Sequence, residues 1–143
     1  MTFIEPFETE KDSQIEWRQK LVRYISKTNA GEDITLKEFL SLCNDISKGK
    51  FGITDEHQEF ANHIAHLHSE VSEMYEEFRK GRGFNETYFK NEKPEGIPVE
   101  AADVLLKLFA ICGAYEIDIL SALPLKVVYN AAKRKKKSEV DYG

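Results

Sequence analysis

Apolar residues recur three or four positions apart along most of the chain, so the pattern predicts helices almost throughout. Residues 1–11 break it with Pro6 and scattered acids. Ser13 followed by Glu16 fits a capping box, and Trp17, Leu21, Tyr24 and Ile25 then continue one face to about Thr28, before Asn29-Ala30-Gly31. Thr35 with Glu38 opens a second helix whose apolar face is Leu36, Phe39, Leu40, Cys43 and Ile46. Gly49 and Gly52 bracket a turn. A longer helix is predicted from Thr54 to Arg79, stopped by Gly81-Arg82-Gly83.

Residues 84–97 are rich in breakers and read as a loop. Pro98 suits the first turn of the next helix, which runs to about Cys112. A last helix runs from Asp118 to about Lys137, with Pro124 either kinking it or marking a fresh start. No strand pattern is visible. The expected fold is all-α: a helical bundle of about four to five helices.

Charge changes this picture at one place. On the Pro98–Cys112 helix, Glu100, Asp103 and Lys107 fall within about 60° of one another. Nearly all the remaining circumference is apolar, which predicts a buried helix whose charges need partners. A plainer reading pairs Lys107 with Asp103 on a solvated stripe. On the preceding helix Glu70, Glu73 and Glu77 share one side, beside a ridge of Phe60, Ile64, Leu67, Val71, Met74 and Phe78. Packing the two ridges together would gather Glu70, Glu73, Glu100 and Asp103. Four carboxylates repel unless a cation joins them or some stay protonated. Oxygen ligands of this kind favour Mg²⁺, Mn²⁺ or Ca²⁺ over softer metals. His63 and His66 precede Glu70 on a similar face, but a di-iron bundle wants Glu-x-x-His pairs, and neither acidic pair has its histidine. These histidines are expected at the packing seam or a pocket edge, and His68 is expected to be exposed.

The last helix carries the opposite charge. Lys126, Asn130 and Lys133 form one polar line with Arg134 beside it, a set suited to polyphosphate oxygens. The run Lys133–Lys137 is expected to be a solvated end.

At 143 residues and 41% apolar composition, a single globular domain 1–143 is expected. Its helices within 1–52 have no assigned role, and 54–137 forms the metal-binding core. The net charge of −5 argues against nucleic-acid binding over the whole surface. Cys43 and Cys112 lie in apolar patterns without a CxxC, as expected for reduced core cysteines in a cytoplasmic protein. No apolar run is long enough for a membrane span.

The blocks Leu67–Glu73, Glu77–Gly81 and Lys93–Val104, then Gly113, Ile117-Asp118 and Lys126-x-x-Tyr129-Asn130, resemble the MazG-like nucleotide pyrophosphohydrolases. These belong to the all-α NTP pyrophosphatase superfamily, and the resemblance covers about residues 60–134. It implies a homodimer or homotetramer and Mg²⁺-dependent cleavage of a nucleoside triphosphate to the monophosphate and pyrophosphate. It also implies Glu70, Glu73, Glu100 and Asp103 as metal ligands, with Glu70 or Glu73 accepting the water proton. Lys126 and Asn130 would meet the phosphates or sugar, and Lys107 and Lys133 would offset their charge. Lysine stands at 107 and 133 where the family often has arginine, which removes a bidentate fork. The base would stack on an aromatic, with Trp17, Tyr115 and Tyr129 as candidates. A competing expectation is a non-catalytic regulatory or binding module on the same scaffold.

Overall fold

The computed structural model describes residues 16–50 and 56–142, with side chains described over 18–46 and 59–134. Five helices and one hairpin follow one another: α1 (Glu16–Asn29), α2 (Leu36–Lys50), α3 (Glu56–Arg79), β1 (Tyr88–Lys90), β2 (Lys93–Glu95), α4 (Ile97–Ala114) and α5 (Ile119–Tyr142). The fold is therefore largely helical, as the periodicity predicts. The Ser13 cap, the Gly52 turn and a helix start at Thr54 lie outside the described residues. Gly49, expected in a turn, is the penultimate residue of α2.

Local chemistry accounts for most boundaries. The Glu38 backbone N–H donates to Thr35 Oγ1 at 3.1 Å, the N-cap contact expected there. Glu38 itself turns away to Lys27 of α1, at 3.1 Å. The Lys20–Asp45 ion pair makes a second tie between α1 and α2. α3 ends where Gly81 adopts φ 82° and the Arg82 N–H returns to the Glu77 carbonyl at 3.2 Å. At the start of α5 the Ser121 N–H donates to Asp118 Oδ1 at 3.1 Å. α5 continues past Pro124, which lies inside it, so no fresh start occurs there.

The segment expected to be a loop contains an antiparallel hairpin, with Tyr88 opposite Glu95, Phe89 opposite Pro94 and Lys90 opposite Lys93. Its two-residue turn holds Asn91 at φ 52° and Glu92 at φ 68°, so both central residues are left-handed. Pro94 is tolerated because the sheet has only two strands, each an edge.

α4 is the centre of the packing. α2 and α3 both lie against it, and α1 packs on α2. Among the described residues the buried apolar ones are Ile25, Leu42, Cys43, Phe109, Ile111 and Cys112. Phe39 joins the layers, with its ring 5.7 Å from both Tyr24 and Phe109. The expectation that α4 is buried all round needs correction, because Leu105 and Leu106 are 45% and 42% exposed. α2 and α3 cover two of its sides, and α5 does not fold back over the third. Instead α5 makes no substantial contact with any other described element, and its residues 121–134 are all exposed. Among the described residues no helix is long and apolar enough to cross a membrane.

Candidate metal centre and cleft

Packing α3 on α4 brings the acidic stripes together. Carboxylate oxygens of Glu70, Glu100 and Asp103 lie within 4.8 Å of one another. Glu73 is exposed and stands outside that triplet, yet its charge helps raise both Glu70 and Glu100. Three of the four acids singled out from the sequence therefore share one small volume, and Glu73 acts on it through its charge.

Glu100 is the centre of the group. It is 4% exposed, and its Oε2 is buried with no hydrogen-bond partner. Desolvation pushes its carboxyl up to about 7, helped by the charges of Glu73, Asp103 and Glu95. Desolvation also raises Glu70, with Glu73 and Asp103 adding to the rise and Lys107 opposing it. A buried carboxylate with an orphaned oxygen, ringed by other carboxylates, has the chemistry of an oxygen-donor site for a hard divalent cation.

Glu95 was missed by sequence reasoning. It closes a second triplet with Glu77 and Glu100, again within 4.8 Å. This one is already compensated. Tyr88 Oη donates to Glu77 Oε2 at 2.8 Å, Lys80 Nζ donates to Glu77 Oε1 at 3.2 Å, and Lys93 pairs with Glu95 at 3.1 Å. The Arg82 guanidinium lies 3.6 Å above the Tyr88 ring. The Tyr88 hydrogen bond, with help from Lys80, holds the Glu77 carboxyl below its usual range.

The hairpin also fixes where α4 begins. Gly96 has φ 125°, and a Cβ there would overlap the Glu86 carbonyl oxygen. That close approach sets the first turn of α4, in which the Glu100 N–H returns to the Gly96 carbonyl at 3.0 Å.

A cavity of about 560 Å³ opens from the acids into the cleft between α2 and α3, with α4 as its floor. Glu70, Asp103 and Lys107 line its charged part, and His63 and His66 of α3 form one edge. Its apolar wall comes from α4 and from Cys43 and Ile46 of α2. Those α2 residues appear in the sequence only as one apolar face, and nothing in their spacing points to a cleft.

The remaining predicted contacts are not assembled within this chain. Lys126, Asn130 and Lys133 sit on α5, exposed and outside the cavity lining. Tyr129 is 58% exposed, with Lys126 Nζ 5.0 Å from its ring centroid. The Tyr115 ring packs on Phe60 at 5.0 Å and near His63 at 6.1 Å. The Trp17 side chain lies outside the described residues.

No protein-family model, curated protein or solved structure matches this chain.

Proposed function

We propose that the protein is a Mg²⁺-dependent nucleoside triphosphate pyrophosphohydrolase, converting (d)NTP and water to (d)NMP and pyrophosphate. The observation that carries the reading is the buried, unpartnered Glu100 oxygen among Glu70, Glu73 and Asp103. Such a cluster is costly unless a cation completes it. The resemblance of its two helices to the MazG-like enzymes supplies the reaction class.

In this reading Glu70, Glu100 and Asp103 hold the ion, with Glu73 beside them. Mg²⁺ (or Mn²⁺), when bound there, would supply Lewis acidity toward phosphoryl oxygens and toward water. Glu73, outside the tight triplet and open to solvent, accepts the proton of the attacking water at its carboxylate. Lys107, in the cavity wall, offsets negative charge that develops on the triphosphate chain.

The proposed enzyme is a homodimer or homotetramer. Val71, Tyr75 and Phe78 of α3, Leu105 and Leu106 of α4, and Leu125, Val127 and Val128 of α5 are all exposed. So much open apolar surface on three helices suits contact with further copies of the chain. Such a contact also offers the route by which Lys126, Asn130 and Lys133 reach a triphosphate held by another subunit.

Incubation with a panel of NTPs and dNTPs plus Mg²⁺ tests the reaction. Monophosphate and pyrophosphate are the expected products, and diphosphate with orthophosphate would overturn the assignment. Loss of even an outer-shell group costs a metal site 10–100-fold, so Glu100→Gln is expected to reduce turnover by at least about 100-fold. Its helical circular dichroism should be unchanged. Full activity in that variant would remove Glu100 from the metal site.

A further inference from the structure

The cavity has a direction. On α3, Glu70, His66 and His63 succeed one another away from the acids, and on α4 the succession is Asp103, Lys107 and Ala110. Seven residues of helix carry each wall about 10 Å from the carboxylates. Over that distance the lining passes from anionic, through a cation, to aliphatic. The far wall on the α2 side is Cys43 and Ile46.

We infer that this far end receives the nucleobase of the substrate, and that Cys43 and Ile46 of α2 select it by shape. The inference rests on the proposed pyrophosphohydrolase reading and adds the subsite that reading leaves unassigned. Three observations carry it. First, the aliphatic end is continuous with the acids, so a triphosphate held at Glu70 and Asp103 directs the rest of its molecule toward Ala110 or toward solvent. Second, among the described residues no phenylalanine, tyrosine or tryptophan side chain lines the cavity, and Tyr129 lies on a helix that does not reach the cavity of its own chain. Third, the α2 wall is firmly seated. A Cβ at Gly113 would fall 2.6 Å from Asn44 Cβ, so glycine lets α2 approach α4 closely beside Cys43. Burial keeps the Cys43 thiol protonated, pushing it up to about 11, so it presents a small neutral surface. His63 and His66 supply the polar contacts on the α3 side through their ring nitrogens.

Binding separates this inference from the chemistry. The probes are the α,β-methylene analogues of the four dNTPs, which cannot be cleaved at the α–β bridge, and inorganic tripolyphosphate, which has no base. Calorimetry is run with Mg²⁺ on the wild type, on Ile46→Trp, and on Ala110→Phe from the opposite wall. At least one nucleotide analogue is expected to bind wild type more tightly than tripolyphosphate does. Each bulky variant is expected to weaken that analogue by at least about 10-fold, the size of a steric overpacking effect. Tripolyphosphate binding should stay within about twofold of wild type, since overpacking confined to the far end leaves the acids untouched. Ile46→Ala, which opens the wall, should change the rank order of the four analogues. Undiminished nucleotide binding in both bulky variants would overturn the inference. So would wild-type binding of nucleotides no tighter than tripolyphosphate, or loss of tripolyphosphate together with nucleotide in every variant. If the variants discriminate as expected but no monophosphate and pyrophosphate form from natural substrates, the base cleft stands and the pyrophosphohydrolase reading falls.

Discussion

Glu77 and Glu100 are buried to the same degree, 3% and 4% exposed, and face each other across the α3–α4 seam. Their surroundings push them in opposite directions. Glu77 has a phenol on one oxygen and an ammonium on the other, and its carboxyl is held low. Glu100 has an orphaned oxygen and a ring of acids for neighbours, and its carboxyl rises to about 7. Burial alone therefore does not decide what a carboxylate is for. Glu77 is a finished peg that anchors the hairpin to α3. Glu100 is unfinished within the chain, and a cation would complete it.

The largest expected effect comes from the residue that holds the two halves in register. Gly96→Ala forces a side chain into a glycine-only backbone region and against the Glu86 carbonyl. Strain and steric displacement together should cost about 4 kcal/mol. Chemical denaturation would measure it. A variant as stable as wild type would show that the hairpin does not fix the start of α4.

Next comes the same substitution at the two acids, with opposite signs. Glu77→Met strands the Tyr88 hydroxyl and the Lys80 ammonium, and should lower Tm by several degrees. Glu100→Met, measured without divalent cations at pH 8, removes a repelled buried charge and should raise Tm. Added Mg²⁺ should then stabilise wild type and leave Glu100→Met unmoved. Two falls of similar size would mean that Glu100 is a structural acid like Glu77.

The stripe that holds both acids was legible in the sequence; the difference between them was not. Helical spacing puts Glu70, Glu73 and Glu77 on one side of α3 and Glu100 with Asp103 on one side of α4. Caps such as Thr35 place the helix boundaries. What separates Glu77 from Glu100 is Tyr88, which reaches Glu77 only through a hairpin. That hairpin turns on Asn91-Glu92, a pair without the glycine that usually marks such a turn. A helical wheel also assigns faces without naming their partners. It gave α4 a buried circumference that Leu105 and Leu106 leave open. It placed Lys126, Asn130 and Lys133 on one line of α5 without showing that α5 stands apart from the acids. Cys43 and Ile46 read as ordinary core for the same reason, since only the cleft between α2 and α3 gives them a cavity-facing side.

Titration gives a smaller effect that bears on the same contrast. In the unfolded chain Glu100 loses its proton near 4.5, whereas in the folded metal-free protein it does so near 7. Below pH 4.5 both states are protonated and no penalty exists. As pH rises from 4.5 to 7 the folded state keeps a proton that the unfolded state has released, so stability falls. The full shift corresponds to roughly 3 kcal/mol, and screening in the open cleft reduces this to about 1 to 2 kcal/mol. Glu70, also raised, acts in the same direction. Glu77, held low, acts oppositely: its contribution is present above its unfolded pKa and is lost as pH falls through the lower folded value. Denaturant midpoints from pH 4.5 to 8, with chelator and with Mg²⁺, should show the decline only with chelator.

The smallest effect isolates the peg itself. Tyr88→Phe keeps the ring under Arg82 but removes the hydroxyl that donates to Glu77 Oε2. Lys80 still reaches the other oxygen, so Glu77 stays charged and the loss in Tm should be smaller than for Glu77→Met. Without that hydroxyl, the largest single influence holding the Glu77 carboxyl low disappears, and its pKa should rise toward the ordinary value. Carboxyl-carbon NMR titration would follow it. If Glu77 stays low and Mg²⁺ affinity is unchanged, Lys80 alone suffices to finish this acid. If Glu77 rises and Mg²⁺ binding weakens with it, the hairpin hydroxyl also sets the position of Glu100, and the two ends of the seam are one electrostatic unit.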